Sequence, residues 1–416
     1  MAASSIKVAV IGGGAGGMMA ALFAARCGAQ ATLIERNDKL GRKVYITGKG
    51  RCNVTNDCTL DEFLQETPRN PRFLYSALSF FSPQDMMRLL EQGGCPVVVQ
   101  RGRRVFPATE KASDVTRTLQ RLMTDAGVRT VTNARARRIE VENGRVTGVT
   151  LDNGRQIGAD RVILATGGRS YPATGSTGDG YEMAAALGHT IQPQSGVLSA
   201  IETEERWPCE LQGLSLRNVT LTLALGRKTL YTELGEMLFT HFGISGPLTL
   251  TMSCHLPEEL SRAQVTLNLK PGLTREQLDA RLQREFAAQS RKQLRNVMPA
   301  LLPGKLAEIF PRLCGVDGEK TCDQVTRQER EALAAAMQSL PLRLKKLAPL
   351  EEAIVTRGGV SVKEITPATM ESKLVSGLYF AGEVIDVDAH TGGYNLHIAW
   401  ATGALAGHSA AQANET

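Results

Sequence analysis

The sequence predicts an α/β protein in which the two ends of the chain build one domain and a β-rich domain is inserted between them. A β-branched run at residues 6–11 precedes a glycine cluster, a helical run and a second strand at 31–34. After about residue 192, short strands alternate with proline and glycine breaks, and charged helical sequence begins at 274. From 348 the glycine-rich, strand-like pattern returns, so the C-terminal segment is expected to rejoin the first domain.

The domain boundaries follow from these changes of pattern. At 416 residues the chain is long enough for two or three domains. Its hydrophobic fraction of 42% and charged fraction of 22% exclude a disordered chain, a fibre and a coiled coil. The predicted segments are the first part of the terminal domain (1–192), an inserted β domain (193–273), a helical subdomain (274–335), a return strand of the β domain (336–350) and the second part of the terminal domain (351–416).

Further elements of the terminal domain follow from hydrophobic spacing and turn residues. Apolar residues at helical spacing predict helices over 73–94 and 112–126, and residues 96–106 read as extended. Short β-branched runs around Asn-Gly turns predict the strands that come next. The remaining predicted elements are strands at 128–132, 136–142, 145–151, 162–164 and 378–381 and a helix at 395–407.

Charge and cysteine content narrow the class of protein. The net charge of +6 permits a polyanionic partner but does not require one. The eight cysteines include no Cys-x-x-Cys pair, which argues against a disulfide framework or a metal site and favours reduced thiols in the cytoplasm. The uncharged run Val8–Ala25 is long enough for a membrane anchor, but its five clustered glycines predict a turn. We therefore expect a cytoplasmic protein with no membrane partner, and the oligomeric state stays open.

The glycine cluster after the first strand predicts a dinucleotide site. Gly12, Gly14 and Gly17 have the Gly-x-Gly-x-x-Gly spacing, in which the glycines allow a tight turn, close approach of a pyrophosphate and close helix packing. Ala15 and Gly16 complete the turn at a helix N-terminus, where free N–H groups favour phosphates. Glu35 ends the next strand and can accept hydrogen bonds from ribose hydroxyls.

Two later glycine motifs favour FAD over NAD as the dinucleotide. The run 162–168 is a buried strand that ends in Gly167-Gly168, and the run 377–383 is a late strand that ends in Gly382-Glu383. Between the first and second motifs, residues 41–56 are rich in glycine, cations and amides, including Arg42, Lys43 and Asn53. Such a loop can wrap a flavin and its phosphates.

These and other motifs, taken together, resemble the BaiN-like flavoprotein family of FAD-dependent oxidoreductases, over the whole chain. The motifs that carry the resemblance are Gly41-Arg42-Lys43 with 47–56, Gly102–Pro107, Gly175–Tyr181, Leu238–Pro247, Thr356–Val360, Gly382–Asp386 and Thr391–Leu396.

The resemblance implies a glutathione-reductase-like Rossmann FAD domain, an inserted β-barrel-like domain and a small helical domain. Family members are described as reductases of activated C=C bonds. One branch resembles bile-acid enone reductases, and the branch closest to this sequence resembles enzymes that form dihydrouridine in 23S ribosomal RNA. The implied FAD residues, with neighbours in the same motifs, are Gly12, Gly14, Ala15, Gly16, Gly17, Glu35, Arg36, Arg42, Lys43, Asn53, Gly167, Asp179, Gly382, Glu383, Gly393, Asn395 and Leu396.

Reduction of an enone or of the uracil C5=C6 bond requires a hydride from flavin N5 and a proton from a positioned acid. Cys52, beside Arg51 in a cationic loop, and His241 and His390 are candidate proton donors. Each has a plainer interpretation: Cys52 as a packing residue, His241 as a partner of local backbone and His390 as the cap of a turn. Asp179 likewise lies near the flavin ring or only makes a turn.

Basic residues point to a phosphate-bearing substrate. Arg51 and Arg357 can bind a carbonyl or a phosphate, or be solvated charges. Residues 275–312 hold eight basic residues against four acids, and Arg291, Lys292 and Arg295 are the predicted RNA contacts there. Further basic clusters are Arg101, Arg103 and Arg104, and Lys345 and Lys346. The aromatic content of 5% offers no evident stacking platform for bases.

We therefore predict an FAD-dependent reductase that forms dihydrouridine in ribosomal RNA or its precursor particle. The sequence has no second Gly-x-Gly-x-x-Gly motif, so no separate domain for a nicotinamide cofactor is expected. NADH or NADPH is the expected transient reductant and would enter the substrate pocket. A small-molecule enone reductase is the first alternative, and the segment around Asp179 also resembles fumarate-reductase-like flavoproteins. A flavin-containing redox sensor or RNA-binding protein without turnover is the second alternative.

Overall fold

The computed structural model describes residues 5–257 and 259–412, and the chain divides into two compact units. Unit 1 joins the described residues up to Val197 with those from Pro349 onwards, and unit 2 comprises Leu198–Ala348. In the described part of the chain, no helix combines the length and the apolar character that crossing a bilayer requires.

The first part of unit 1 alternates strands with helices. Its strands are β1 (Lys7–Ile11), β2 (Gln30–Ile34), β3 (Thr55–Asn56), β4 (Val97–Gln100), β5 (Arg104–Pro107), β6 (Arg129–Val131), β7 (Ala136–Glu142), β8 (Arg145–Leu151), β9 (Gln156–Gly158), β10 (Arg161–Leu164) and β11 (Ile191–Val197). Its helices are α1 (Ala15–Arg26), α2 (Arg42–Ile46), α3 (Leu60–Gln65), α4 (Tyr75–Phe80), α5 (Pro83–Gln92), α6 (Ala112–Asp125) and α7 (Asp179–Ala186).

Unit 2 and the C-terminal part of unit 1 complete the chain. The strands of unit 2 are β12 (Ile201–Thr203), β13 (Ser215–Leu225), β14 (Lys228–Phe239), β15 (Gly243–Ser245), β16 (Ala263–Asn268), β17 (Leu340–Leu342) and β18 (Leu344–Leu347). Its helices are α8 (Trp207–Glu210), α9 (Pro247–Ser253), α10 (Arg275–Ala288), α11 (Leu294–Val297), α12 (Gly304–Leu313) and α13 (Arg327–Gln338). Unit 1 resumes with β19 (Val355–Val360), β20 (Leu378–Phe380) and α14 (Tyr394–Ala411).

A parallel sheet in the order β20-β10-β1-β2-β6 forms the centre of unit 1. Val8, Val10 and Leu164 are buried in it, as expected for strands covered on both faces. From β1 the chain passes to β2 on one side, and β10 pairs with the other side of β1, so strand order reverses at β1. A ligand crevice is expected outside the carboxyl ends of strands at such a reversal. The predicted α/β Rossmann fold class is confirmed.

Smaller antiparallel sheets surround the parallel sheet in unit 1. They are β3-β5-β4, β7-β8-β9 and the pair β11-β19. The helix predicted over 73–94 is interrupted, because Ser82 caps α5 by accepting from the N–H of Asp85 and Pro83 takes the first helical position. Proline is favoured there but cannot continue a preceding helix. The result is two helices, α4 and α5, where one was predicted.

The C-terminal helix α14 is buried around most of its circumference and packs against α1. Such an apolar helix belongs in a core rather than on a surface. Trp400 donates its indole N–H to the carbonyl of Val54 at 3.0 Å, and Thr402 accepts from the N–H of Gly382 at 2.9 Å. These contacts hold the middle of α14 against Val54, just before β3, and against Gly382, just after β20.

We expect acid to destabilise unit 1 through His397 of α14. His397 is fully buried and contacts the carbonyl of Phe81 through Nε2 at 3.1 Å. Burial lowers the pKa of His397 from 6.5 to about 4, against smaller opposing effects of that contact and of Asp85. The pKa of His397 is lower in the folded than in the unfolded protein, so the free energy of unfolding has its full value above pH 6.5. As the pH falls towards 4, that free energy decreases by at most about 3 kcal/mol through this group.

The measurement is urea unfolding between pH 7 and pH 4.5 for wild type and His397→Gln. The glutamine amide keeps a donor for the Phe81 carbonyl but does not titrate in this range. The variant is expected to lose less stability with acid than wild type. Equal slopes of unfolding free energy against pH would show that His397 does not control the acid response.

Unit 2 is built on an antiparallel sheet in the order β17-β16-β13-β14-β15-β12-β18. Its two edge strands, β17 and β18, are separated in the chain by Arg343 alone. One continuous segment therefore pairs with β16 at one edge and with β12 at the other, which curls the sheet into a barrel-like form. Leu278, Leu282 and Phe286 of α10 are buried in the core of this unit.

Candidate cofactor site

A long cleft in unit 1 lies at the carboxyl ends of the five parallel strands. Its lining includes residues 11–16 after β1, 34–37 after β2, 134–136 after β6, 165–167 after β10 and 381–383 after β20. This is the edge at which the strand order predicts a ligand crevice. Residues from α2, from the loop before α7 and from the first turns of α14 complete the lining.

The glycine turn after β1 is shaped for an anion. No side chain caps the N-terminus of α1, and its first turn carries no acid. A Cβ at Gly17 would overlap the carbonyl oxygen of Gly12, so only glycine allows α1 to lie this close to β1. At Gly14, by contrast, no atom lies within 4 Å of an added Cβ, because this position faces the open cleft. Backbone N–H groups at such a turn suit a pyrophosphate.

Glu35 stands at the end of β2, buried beside the glycine turn. Its Oε2 accepts from the N–H of Gly13 at 2.6 Å, and its Oε1 accepts from the N–H and the side-chain amide of Asn37, both at 2.7 Å. Carboxylate oxygens have further lone pairs, so Glu35 can still accept from ribose hydroxyls. Asn37 also donates to the carbonyl of Thr174 at 3.0 Å and accepts from Arg42 at 2.9 Å.

An ion-pair cluster borders the cleft on the same side as Glu35. Asp179 accepts two hydrogen bonds from Arg135, at 2.7 and 3.0 Å, and lies 3.4 Å from Arg36. Thr177 bridges the cluster, since it accepts from Arg36 at 2.6 Å and donates to Asp179 at 2.7 Å. Burial would raise the pKa of Asp179, but Arg135 and Thr177 outweigh it and lower that pKa. Asp179 therefore stays ionised and orders two arginines at this wall.

A second polar cluster lies near the other end of the cleft. Lys43 of α2 donates to Glu383 at 2.6 Å and to Ser170 at 2.6 Å. The other oxygen of Glu383 accepts from the N–H of Thr356 at 2.8 Å and from Ser170 at 3.2 Å. Lys43 and Glu383 both line the cleft. They bring a cation, a carboxylate and a hydroxyl together there.

The loop between β20 and α14 is held by charged side chains at alternate positions. Asp386 accepts from Arg69 at 2.5 and 2.9 Å, and Asp388 accepts from Arg357 at 2.8 and 2.6 Å. His390 lies with Nδ1 2.9 Å from the carboxylate of Glu66. Between these positions Val387 lines the cleft. The ion pairs therefore fix the loop whose residue Val387 forms part of the cleft lining.

Asn395, at the start of α14, closes the same loop. Its side chain accepts from the N–H of Ala389 at 2.9 Å and donates to the carbonyls of Ala389 and His390 at 2.6 and 3.2 Å. Asn395 and its neighbour Leu396 both line the cleft. The amide thereby sets the path of the loop that carries His390.

Most of the predicted cofactor residues meet in this cleft. Gly17, Asn53 and Gly393 do not line it: Gly17 packs under the turn, and Gly393 begins α14 against the backbone of Thr55. The predicted residues that line the cleft are Gly12, Gly14, Ala15, Gly16, Glu35, Arg36, Arg42, Lys43, Gly167, Asp179, Gly382, Glu383, Asn395 and Leu396.

The three predicted proton donors do not line the cleft. Cys52 is fully buried, and burial raises the pKa of its thiol to about 12, although a hydrogen bond with Thr47 opposes this. His390 contacts Glu66 and lies in the loop between Val387 and Asn395, two residues that line the cleft. His241 is exposed in unit 2, between β14 and β15, with its ring 4.9 Å from the ring of Phe242.

We expect Cys52→Ala to keep turnover within about threefold of wild type. A thiol with a pKa near 12 holds its proton at neutral pH and is poorly matched to proton transfer there. The substitution removes a small buried group and should cost roughly 1 kcal/mol of stability. Steady-state kinetics with matched FAD content measure the effect. A hundredfold loss in kcat with unchanged FAD content would show that Cys52 is the proton donor.

The predicted substrate contacts are dispersed. Arg357 is engaged with buried Asp388, and Arg51 stacks on the ring of Phe106 at 4.4 Å and pairs with Glu110 at 3.0 Å. Arg291 and Lys292, between α10 and α11, and Arg295, in α11, lie close in the sequence of unit 2, and all three are exposed. Lys292 contacts Gln289, and Arg295 pairs with Glu319.

Several residues of the site were not predicted. Asn37, Arg135 and Ser170 join segments far apart in the chain, and sequence spacing carries no signal for them, whereas Thr356 begins the quoted motif 356–360. Thr177 and Thr174 lie in the motif 175–181 or beside it, so the glycine-rich motif that contains Asp179 was the available signal. Thr166 also lines the cleft, and among the described residues its buried hydroxyl finds no partner.

The residues present fit FAD. The open anion cradle at Gly14 suits its pyrophosphate, and Glu35 suits its adenosine ribose. The adenosine would then lie towards Arg36, Ala134 and Asp179, and the flavin towards the opposite end. That end is formed by Lys43, Val44, Thr47, Ile354, Val355, Glu383, Val387, Asn395 and Leu396.

Comparison with known proteins identifies the family of this chain. A family model described as the HI0933-like protein Rossmann domain matches residues 6–409. The chain is 31% identical over 396 residues to the ribosomal RNA dihydrouridine synthase of Escherichia coli (strain K12), covering 94% of this chain and 95% of that protein. It is 29% identical over 411 residues to the 3-dehydro-bile acid delta(4,6)-reductase of Clostridium scindens, covering 98% and 99%.

A solved structure shares the fold over nearly the whole chain. It is the 3-ketosteroid delta1-dehydrogenase from Sterolibacterium denitrificans, with a TM-score of 0.52 and 14% identity, covering 98% of this chain and 100% of that one. At this identity the likeness concerns the fold alone. The family match and the relatives confirm the resemblance that the motifs indicated. The chain belongs to the HI0933-like family and is an FAD-dependent oxidoreductase with a Rossmann-type domain.

Proposed function

We propose that this protein reduces the C5=C6 bond of a uridine in 23S ribosomal RNA to give dihydrouridine. The observation that carries the proposal is the likeness, at 31% and 30% identity over 94% of the chain, to two relatives named ribosomal RNA dihydrouridine synthase. These matches cover 95% of each relative, so both units of the chain are included.

The chain's own residues would bind the cofactor and orient it. Bound FAD would supply the hydride that saturates the C=C bond. The N–H groups at Gly14 and Gly16 would hold phosphate, and Glu35 the ribose. Lys43 and Glu383 would present charge beside the flavin end of the cleft. Such fixed charges stabilise developing charge without reorganisation during the reaction.

The proton donor is proposed to be His390. Glu66 lies 2.9 Å from Nδ1 of His390, and Asn395 donates to its backbone carbonyl, so ring and loop are both held. An imidazole ring can both donate and accept a proton, which suits proton transfer to the carbon next to a carbonyl. His241, in unit 2, is the alternative donor.

NADH or NADPH is the proposed reductant, and the cytoplasm, where ribosomal RNA is found, is the proposed location.

In the described residues, no group of three or more His, Cys, Asp or Glu side chains could hold a metal ion. The proposed reaction needs none, because the nicotinamide donates a hydride and the C=C bond accepts it together with a proton.

A second candidate is reduction of a small conjugated enone. The likeness to the 3-dehydro-bile acid delta(4,6)-reductase, at 29% identity over 98% of the chain, favours it. The two candidates share the cofactor and the bond type and differ in the size and charge of the substrate.

A single-turnover experiment distinguishes these candidates. The holoenzyme is reduced with NADH in the absence of oxygen and mixed either with an unmodified 23S ribosomal RNA transcript or with a steroid enone. Recovery of the oxidised flavin absorbance is followed, and the RNA is analysed for dihydrouridine. The proposal expects recovery with RNA and one new dihydrouridine. Recovery with the enone alone would move the assignment to the second candidate.

A further inference from the structure

A short arginine-rich segment lies outside the cleft lining, and the function proposed above assigns it no role. Strands β4 and β5 pair in antiparallel fashion, and the chain turns between them at Arg101-Gly102-Arg103. With Arg104, the first residue of β5, these residues form what we call the arginine hairpin. All four are exposed. Arg103 adopts a φ of +56°, a conformation that glycine or asparagine adopts more readily than arginine.

Asn56 connects the arginine hairpin to the flavin end of the cleft. This buried amide donates to the carbonyl of Gly102 at 3.0 Å and to the carbonyl of Gly392 at 3.1 Å. Gly392 precedes Asn395, a lining residue of the cleft, by three positions. The hairpin is therefore fixed to the loop that carries His390.

A second contact places the hairpin sheet at the same end. Thr47 lines the cleft, and a Cβ on the next residue, Gly48, would lie 3.3 Å from the ring of Phe106 in β5. Arg51 lies over the same ring, with its guanidinium 4.4 Å from the centroid. The sheet β3-β5-β4 thus adjoins the loop that follows α2.

The charge of this surface is predominantly positive. Arg103 pairs with Glu62 at 2.6 Å, and Arg51 pairs with Glu110 at 3.0 Å. Asp57 lies nearby, its N–H donating to the carbonyl of Arg103. In the part of the chain that the structure describes, no carboxylate pairs with the remaining cations. The cations of the surface are Lys49, Arg51, Arg101, Arg103 and Arg104.

The existing pairs on this surface are exchangeable. The side chains of Arg103 and Glu62 are 57% and 43% exposed, and water screens exposed ion pairs of this kind, so they contribute little to stability. A phosphate can therefore replace either carboxylate at little cost. None of these cations lines the cleft, so a ligand that occupied the cleft and also contacted them would have to extend beyond it.

We propose that the arginine hairpin binds the phosphate backbone of RNA on either side of the base that enters the cleft. The proposal rests on the proposed function and adds the surface by which the polymer is held. Arginine and lysine contacts to phosphates position a nucleic acid without reading its sequence. They also make binding salt-dependent, because each contact releases counterions from the RNA.

The test uses Arg101→Glu/Arg104→Glu in the FAD-loaded protein. Its matched control is Arg145→Glu/Arg155→Glu, which makes the same change of charge on two exposed residues, the first of β8 and the one immediately before β9. Affinity for an unmodified 23S ribosomal RNA transcript is measured by filter binding at several potassium chloride concentrations. The rate of flavin reduction by NADH is measured as a check that the cleft is intact.

The hairpin variant is expected to bind RNA roughly tenfold more weakly than the control, with a salt slope shallower by about one to two. Flavin reduction by NADH should be unchanged. Equal affinity and equal slope in the hairpin variant and the control would overturn the proposal and leave the proposed function standing. Wild-type protein that neither binds the transcript nor forms dihydrouridine in it would overturn both.

Discussion

Gly14→Val is expected to fold and to lose FAD. Gly14 has φ −79° and ψ −166°, which any residue adopts, and no atom lies within 4 Å of an added Cβ. The Cβ of valine therefore meets no atom of the protein. It projects instead into the space where the N–H groups at the start of α1 would meet phosphate. Loss of two such charge-assisted hydrogen bonds corresponds to about 3–6 kcal/mol, a fall in FAD affinity of at least a hundredfold.

Two further variants separate cofactor binding from folding. Gly158→Val is the matched control, because Gly158 of β9 also has open space around an added Cβ but lies outside the cleft lining. It should keep its FAD. Gly17→Ala should fail to fold, since the new Cβ overlaps the carbonyl of Gly12. Flavin absorbance per protein and thermal unfolding are the measurements. A folded Gly14→Val protein with a full flavin spectrum would disprove the position of the phosphate cradle.

Arg357→Met is expected to lower the free energy of unfolding by about 3–5 kcal/mol. Asp388 is completely buried, and Arg357 donates to both of its oxygens, at 2.8 and 2.6 Å. Removing the guanidinium leaves that carboxylate in the core of unit 1 without its bidentate partner. The loop 386–390 should loosen as a consequence, and FAD binding should weaken with it.

Urea unfolding of Arg357→Met, of Arg357→Met/Asp388→Leu and of the surface control Arg155→Met measures this effect. The double variant should recover part of the loss, because an apolar pair of similar size replaces a buried ion pair at little cost. The surface control should unfold like wild type. If Arg357→Met unfolded like wild type but lost activity on RNA, Arg357 would be a substrate contact, as the sequence alone suggested.

The sequence predicted the parts of the fold that depend on local pattern. The glycine spacing at 12–17, the acid at the end of β2 and the runs that form β7, β8 and β10 all carry their signal within a few residues. The cleft also contains contacts between segments more than a hundred residues apart, such as Lys43 with Glu383 and Asn37 with Thr174. No spacing rule predicts which distant residues a fold brings together.

Exposure and local chemistry were harder to predict than position along the chain. Cys52 stands in a cationic loop, and this suggested an exposed, activated thiol. The turn around it instead buries the side chain completely, beside Thr47. Ser82 and Pro83 show the same limit for helices, because the apolar spacing continued through a capping site that ended one helix and began another. Burial depends on how distant elements pack together, and the identity of a single residue does not indicate that packing.

The most direct test of the central claim is the dihydrouridine content of ribosomal RNA in cells with and without this gene. Mass spectrometry of nuclease-digested 23S ribosomal RNA locates and quantifies the modification. We predict that one dihydrouridine is lost on deletion, is restored by the wild-type protein and is not restored by Gly14→Val. Dihydrouridine that is present at the same sites and in the same amount after deletion would contradict the claim and favour a small enone as the substrate.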